Sequence, residues 1–408
     1  MNKEQLQPLS GFRDYRGNAK YDVVGALRAV FESFGYEGLE TPSLEKQELL
    51  LNKYGEDAQK LLYLFEDNGK RPIGLRYDLT LPLARFVAAN LNELILPYKR
   101  YEIGNAWRAE RAQKGRLRQF TQADIDIIGC DSLAAEKEIA LILKAASKKL
   151  GLTFRVLFND RRVVSQVFDK LKIEVSESRN LMRLLDKKDK MTDEAFEGEL
   201  RELSLSDVQR RQVQAIFLAS EKDSVEEVEK ILGDSAELTE LLKLVKDVNK
   251  LGLKAEYAAN MVRGLDYYTG TIFECVAENY PSTLIGGGRY DTLVESLVGQ
   301  KLPAVGISFG VDRIIEALEG KTKNETIFIA NLPETSDEVM VFAQKLREEG
   351  KLVEVYLDSK VELGKQIKYA DKKGYKKILI PFEDEWALGK IIEKDLASGE
   401  QRKIAVKK

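Results

Sequence analysis

The stretch 160–252 carries almost no strand signal. It is charged and helix-favouring, as in 222–232 and 238–248, whereas the sequence before and after it is rich in strand-like runs. We read it as a helical insertion, and it restricts the fold to a mixed architecture in which strand-forming sequence is interrupted and then resumed. On its N-terminal side, Tyr21, Val24, Leu27, Phe31 and Phe34 recur at helical spacing up to Gly35, which predicts a helix over 20–35. Short strands are expected at 39–44, 61–66, 73–76 and 98–104, a helix at 81–94, a strand at 119–129 and a helix at 133–150. Strand-like sequence returns at 267–277 and 304–308, with a helix at 311–318. The polar run 319–325 reads as a linker. Beyond it the apolar strands 327–330, 353–357 and 378–381, separated by two helical patterns, predict a small α/β domain.

Composition narrows the chemistry. The 408 residues contain no histidine, so no mechanism that needs an imidazole base, a serine–histidine pair or a histidine metal site is open to the chain. Acid–base work falls to carboxylates, Lys or Tyr. A chain of this length ordinarily carries several histidines, and their absence points to selection or design, chance in a biased proteome being the plainer alternative. A formal charge of -3 excludes nucleic-acid binding by bulk charge, so any RNA contact rests on local cation clusters. Cys130 and Cys275 are far apart and in no metal-ligand spacing, which fits a reducing compartment and small core residues. With a polar N-terminus and no stretch of membrane-spanning length, a cytoplasmic location is expected. Neither a phosphate loop nor a dinucleotide-binding glycine motif is present.

The densest chemistry lies at 108–122, RAERAQKGRLRQFTQ, where Arg108, Arg111, Lys114, Arg116 and Arg118 crowd around Lys114-Gly115. Strand, basic loop and strand is the implied geometry, suited to holding a polyphosphate while the loop reaches an RNA end. An isolated basic run is more often a solvated hairpin. Here, however, the cations alternate with Phe120 and Gln122 on a strand that continues to Asp124 and Asp126 on one face, and polar groups on an apolar strand need partners. In the run 263–271, RGLDYYTGT, an arginine and two tyrosines precede a β-branched strand; tyrosine pairs are more often core than ligand contacts. Gly286-Gly287-Gly288-Arg289-Tyr290-Asp291 reads either as a tight turn with a buried arginine or as a close approach of backbone to a ligand. In 306–313, GISFGVDR, an apolar strand runs into a helix whose Arg313 either pairs with a carboxylate or clamps a phosphate.

Taken in order, these segments resemble the histidyl-tRNA synthetase family from Gly11 to the C-terminus, least so in the helical block. Pro42 looks like the motif 1 proline of a dimer interface, 108–122 like motif 2 and 306–313 like motif 3, with 76–80 and 263–271 like the two histidine-binding segments. The resemblance implies an α+β fold: an antiparallel-sheet class II synthetase catalytic domain in two parts, 1–160 and 252–320, a helical insertion domain 161–251, and a C-terminal α/β anticodon-binding domain 325–408. It implies activation of histidine with ATP, assisted by Mg2+, and transfer of histidine to the 3' end of tRNA(His) by a cytoplasmic homodimer with no membrane attachment.

Carried over by residue, the resemblance makes Arg108 and Arg263 the catalytic pair on the α-phosphate. ATP contacts fall to Arg108, Glu110, Arg111, Arg116, Phe120 and Arg313. Histidine contacts fall to Asp78, Thr80, Gln122, Asp126, Arg263, Tyr267 and Tyr268, and the tRNA acceptor end to Gln113, Lys114 and Arg118; magnesium would be bound by phosphates and a few carboxylates that the resemblance does not assign. A neutral imidazole offers one donor and one acceptor, which a carboxylate and a tyrosine hydroxyl answer, so no editing domain is needed. The last domain has 16 Lys or Arg against 16 Asp or Glu, so its RNA recognition would rest on individual bases. Thr121 stands where the family usually has His or Tyr, and Ala109 and Ala112 also depart from it, which puts substrate affinity in question. If the resemblance holds, making this chain consumes none of the amino acid it handles. Two other readings stay open: a histidine-sensing regulatory subunit of ATP phosphoribosyltransferase, which normally lacks the C-terminal module, and an RNA-binding protein on a decayed synthetase fold.

Overall fold

The basic run does join two long strands. They sit in a computed structural model that describes residues 6–53, 59–113, 115–188, 191–218, 221–262, 268–278, 280–318 and 326–406. The chain falls into two compact units, 1–319 and 320–408.

In the first unit, helix α1 (Ala19–Ser33) buries Val23, Leu27, Val30 and Phe31 and gives way at Gly35, whose φ of 74° suits a glycine. Then come β1 (Glu37–Gly38), β2 (Leu44–Lys46), α2 (Gln47–Lys53), β3 (Leu64–Glu66), β4 (Pro72–Leu75) and α3 (Thr80–Asn90). The strand expected at 39–44 is thus two short strands with a gap. Pro42 has no N–H for a ladder, and the gap is fastened through Thr41, whose N–H and hydroxyl donate to the buried Glu102 carboxylate at 3.0 and 2.8 Å. Helix α3 ends four residues before the expected 94, where the Glu93 N–H turns back to the Asn90 carbonyl.

Next are β5 (Tyr98–Trp107), β6 (Gln119–Ile128), α4 (Ala134–Leu150) and β7 (Phe154–Asp160). The helical block follows as α5 (Arg161–Lys170), α6 (Val175–Lys187), α7 (Asp193–Glu202), α8 (Asp207–Phe217), α9 (Glu221–Leu232) and α10 (Ala236–Lys250). Side-chain caps from Asp160, Thr192, Ser206 and Ser235 start four of these helices, satisfying backbone N–H groups that the first turn leaves open. The unit closes with β8 (Lys254–Tyr257), β9 (Thr271–Ala277), β10 (Tyr280–Arg289), α11 (Asp291–Val298), β11 (Ala304–Gly310) and α12 (Val311–Ala317).

Among the described residues, strands from both sides of the helical block build one sheet in the order β1-β5-β6-β11-β10-β9-β7-β8. Its pairings are antiparallel except at the edges, where β1 runs parallel to β5 and β8 parallel to β7. Strands β2, β4 and β3 make a small antiparallel sheet. The two faces of β6 differ. Ala123, Ile125 and Ile127 enter the main core with Leu27 and Phe31 of α1, Ile139 and Leu143 of α4 and Phe309 of β11. Gln122, Asp124 and Asp126 take the other face. Helices α5 to α10 contribute Val163, Leu181, Phe196, Val213 and Leu241 to that same core.

The second unit contains β12 (Ile327–Ile329), α13 (Ser336–Glu348), β13 (Val353–Val355), α14 (Leu363–Lys372), β14 (Lys377–Ile380), α15 (Glu383–Ala387), β15 (Lys390–Asp395) and β16 (Gln401–Ala405). Its sheet order is β13-β12-β14-β15-β16, parallel among the first three strands and antiparallel thereafter. The three expected apolar strands are there. The β15–β16 hairpin, largely charged, gives no apolar run to read in the sequence.

Candidate active site

The polar face of β6 is the floor of a cavity of about 340 Å³, within the size range of small-ligand sites. Strand register fixes the rest of the floor. Gln122, Asp124 and Asp126 lie opposite Gly104, Glu102 and Arg100 of β5 on one side, and opposite Gly310, Ser308 and Gly306 of β11 on the other. The glycines hold space open. A Cβ on Gly306 would sit 2.0 Å from Asp126 Oδ1, and one on Gly288 would meet the Tyr268 ring at 3.0 Å.

One end of the cavity is anionic. Asp126 is buried, pairs with Arg100 (Oδ2 to Nη2, 2.9 Å) and accepts the Tyr290 hydroxyl at Oδ1. Arg100 is wholly buried, donates to the Leu79 carbonyl at 3.0 Å and has Glu102 at 3.7 Å; Glu102 in turn pairs with buried Arg76 at 2.8 Å. Desolvation raises the pKa of Asp126, against the pull of Arg100. Asp124 shares this guanidinium only at second hand. Burial, and then the neighbouring Asp126 charge, outweigh Arg100 and push its carboxyl up to about 8. Three acceptors on the cavity wall have no partner among the described residues: Asp78 Oδ2, Gln122 Oε1 and Asp124 Oδ1. Asp78 uses its other oxygen to accept the Thr80 and Leu81 N–H groups at the start of α3. Buried acceptors left open are costly unless a ligand supplies donors.

The other end is cationic. Arg108, on the chain leaving β5, lies over the rings of Tyr77 and Phe120 at 4.2 and 5.0 Å and donates to the Tyr77 carbonyl. Arg116 meets Glu110 at 3.4 Å. Arg313, in the first turn of α12, donates to the carbonyls of Gly115 and Thr283. Its pKa is lowered by burial and then by the nearby Arg116 and Arg108. Three guanidiniums in one hollow repel each other until an anion joins them, which is the electrostatics of a polyphosphate site. Glu110 and Glu274 also line the wall.

Of the site residues expected from sequence, Asp78, Thr80, Arg108, Glu110, Arg116, Phe120, Gln122, Asp126, Tyr268 and Arg313 all line this cavity. Arg111 is exposed and away from it, and Gln113 is exposed in a tight turn with Arg116. Arg118 is turned back, donating to the carbonyls of Glu110 and Ser10. Lys114, Arg263 and Tyr267 lie outside the described residues. Thr121 spends its hydroxyl on Asn105 (2.9 Å) and its N–H on Asp312 (2.7 Å). Sequence reasoning missed Asp124, Ser308 and Tyr290 as wall residues. The glycine-rich run before Tyr290 was the available signal: it belongs to strand β10, and Arg289 beyond it is buried against Glu136 at 2.7 Å.

The profile of the histidyl-tRNA synthetase family matches residues 16–314, and that of an anticodon-binding domain matches 326–408. A histidine–tRNA ligase of Rhodopirellula baltica is 35% identical over 98% of this chain and 96% of its own length. One from Wolinella succinogenes is 36% identical over 97% and 94%. The crystal structure of a histidyl-tRNA synthetase from a Nostoc species superposes with a TM-score of 0.82 at 28% identity, covering 98% of this chain and 97% of that one.

Proposed function

Given that the chain belongs to the histidyl-tRNA synthetase family, we propose how its residues divide the work of that reaction. The chain activates histidine with ATP, giving histidyl-adenylate and pyrophosphate, and passes histidine to the 3' end of tRNA(His). The observation that carries our reading is the two-ended cavity, with guanidiniums at one pole and unpaired buried acceptors at the other.

Histidine lies along the polar face of β6. Its ammonium, with three N–H donors, is held near Asp78, Thr80 and Gln122. Its ring is held by Asp126 with Tyr267, Tyr268 and Tyr290, one ring nitrogen donating and the other accepting. ATP lies toward Arg313, with the adenine against Phe120 and Glu110, and the phosphates held by Arg108, Arg116 and Arg313; Arg111, exposed outside the cavity, would have to swing in to join them. The histidine carboxylate oxygen attacks the α-phosphorus and pyrophosphate leaves. Negative charge grows on the phosphoryl oxygens, and Arg108 and Arg263 stabilise it without any proton transfer. That requirement suits a chain without imidazole. Among the described residues no three acidic or cysteine side chains are grouped for a metal. A magnesium ion would be carried by the phosphates and water, with Glu274 of the cavity wall beside it. Bound there it would neutralise the leaving pyrophosphate.

For transfer, Gln113, Lys114 and Arg118 meet the acceptor end, and 325–408 forms the anticodon-binding domain. Arg118 must first give up its carbonyl partners. The segments 1–160 and 252–320 form the catalytic domain, with 161–251 inserted. A homodimer is supported by exposed Pro42 beside exposed Leu44 on a groove that also includes Leu49, Ile73 and Leu297. No helix among the described residues is long and apolar enough to cross a membrane, and we place the enzyme in the cytoplasm. Histidine-dependent ATP–pyrophosphate exchange, followed by transfer of labelled histidine to tRNA, tests the assignment. Exchange that survives loss of Arg108 would overturn it.

A further inference from the structure

Asp124 has no role in the scheme above, yet its position demands one. It sits between Gln122 and Asp126 on the cavity floor and is 2% exposed, and its Oδ1 has no partner among the described residues. The Gln122 side-chain amide donates to the Ser308 hydroxyl, and that hydroxyl is hydrogen bonded to the Asp124 carboxyl. The groups facing Asp124 come from every surrounding element. Asp126 is on its own strand, Glu102 and Arg100 are on β5, Ser308 is on β11, Asp78 is in the segment leading to α3, and Tyr290 reaches the site from the end of β10. Two carboxylates on adjacent same-face positions thus share one buried guanidinium, and the direct ion pair belongs to Asp126.

We propose that Asp124 is a further ligand of the amino acid's ammonium group and exchanges a proton for it, so that histidine enters the cavity with release of one proton. Three open acceptors, Asp78 Oδ2, Gln122 Oε1 and Asp124 Oδ1, match the three N–H donors of an ammonium ion. Without the ligand, a charged Asp124 would add another anion beside Asp126 and Asp78 with only the guanidinium already paired to Asp126 to balance it, so the carboxyl keeps its proton. The arriving ammonium supplies that cation. The step balances as Asp124-COOH plus the histidine zwitterion giving Asp124-COO⁻ paired with the ammonium, with H⁺ passing to solvent. The carboxyl thereby answers the amino group and ignores an uncharged analogue.

This inference rests on the histidine-binding reading of the cavity, and its test separates the two. Histidine binding to the full-length protein is measured by titration calorimetry at pH 7.0 in buffers of different ionisation enthalpy. With the Asp124 carboxyl raised to about 8, the wild type should release most of one proton per histidine at pH 7, and its apparent Kd should fall several-fold between pH 7 and 8. In Asp124→Asn the released proton disappears and the apparent Kd becomes flat over that interval. Histidine binding with buffer-independent enthalpy in the wild type, or unchanged proton release in the variant, overturns the proposal and leaves the charging reaction intact. Failure of the wild type both to bind histidine and to support histidine-dependent exchange overturns the parent reading with it. Because the wild-type proton count alone decides the question, a variant that folds poorly does not rescue the idea.

Discussion

Gly306→Ala gives the sharpest check on the anionic pole. Gly306 is not in the left-handed region, so the glycine serves space and not backbone freedom. The added methyl would lie 2.0 Å from Asp126 Oδ1, 2.6 Å from its Cγ and 2.7 Å from the Ile125 carbonyl. Ordinary contact begins near 3.4 Å, so the carboxylate must retreat by more than an ångström and strain both its Arg100 pair and its Tyr290 bond. A displacement of that size at a binding group costs about 10²-fold in efficiency, or ~2.7 kcal/mol at 1.36 kcal/mol per factor of ten. We expect the loss in the KM for histidine in ATP–pyrophosphate exchange, with the KM for ATP within about twofold of wild type, since the phosphate pole is built from other residues. Gly286→Ala is the internal control. It lines the same cavity, but its Cβ would find its nearest neighbours at 3.9 and 4.0 Å, so it should leave both constants alone. Equal effects of the two alanines, or an equal rise in both KM values in Gly306→Ala, would refute the reasoning.

Arg108→Ala should lower kcat for exchange by about 10²–10³, as removal of a preorganised oxyanion donor does, with little change in histidine affinity by calorimetry. Arg313→Lys keeps the charge but loses the fork that reaches the Gly115 and Thr283 carbonyls, so the KM for ATP should rise about tenfold in steady-state exchange. Glu136→Gln breaks the buried pair with Arg289 and should destabilise the first unit by about 3 kcal/mol, read as an earlier thermal transition. Stability should also respond to Asp124. Its carboxyl is raised in the folded state, so the wild type loses stability as pH climbs from the ordinary carboxylate range to about 8. The melting temperature of Asp124→Asn should therefore gain on the wild type through that interval and hold a constant lead above it.

How much of this was legible beforehand depends on what each residue needed. Period-two alternation put Gln122, Asp124 and Asp126 on one face, and the basic run between two strands announced a hairpin; both follow from the local chain. Which of the two aspartates takes the guanidinium depends on cross-strand register, Arg100 lying opposite Asp126 and Glu102 opposite Asp124, and no local pattern records that. Thr121, expected to bear on substrate affinity, does line the cavity, but that its hydroxyl is held by Asn105 on the partner strand is a cross-strand fact. The glycine run before Tyr290 left two possibilities open, and parts of both hold: a buried arginine follows it, and Gly286 and Gly287 line the cavity, but the run is a strand and not a turn. The gap at Pro42 needed Thr41 and Glu102, 61 residues apart, to be seen together.

The cavity is walled by a chain that has no imidazole of its own. In magnetic resonance of the complex, every imidazole carbon and nitrogen signal would therefore belong to the bound amino acid. Its tautomer, its titration and its exchange between free and bound forms could be followed in unmodified protein without selective labelling, against a background that is blank by composition.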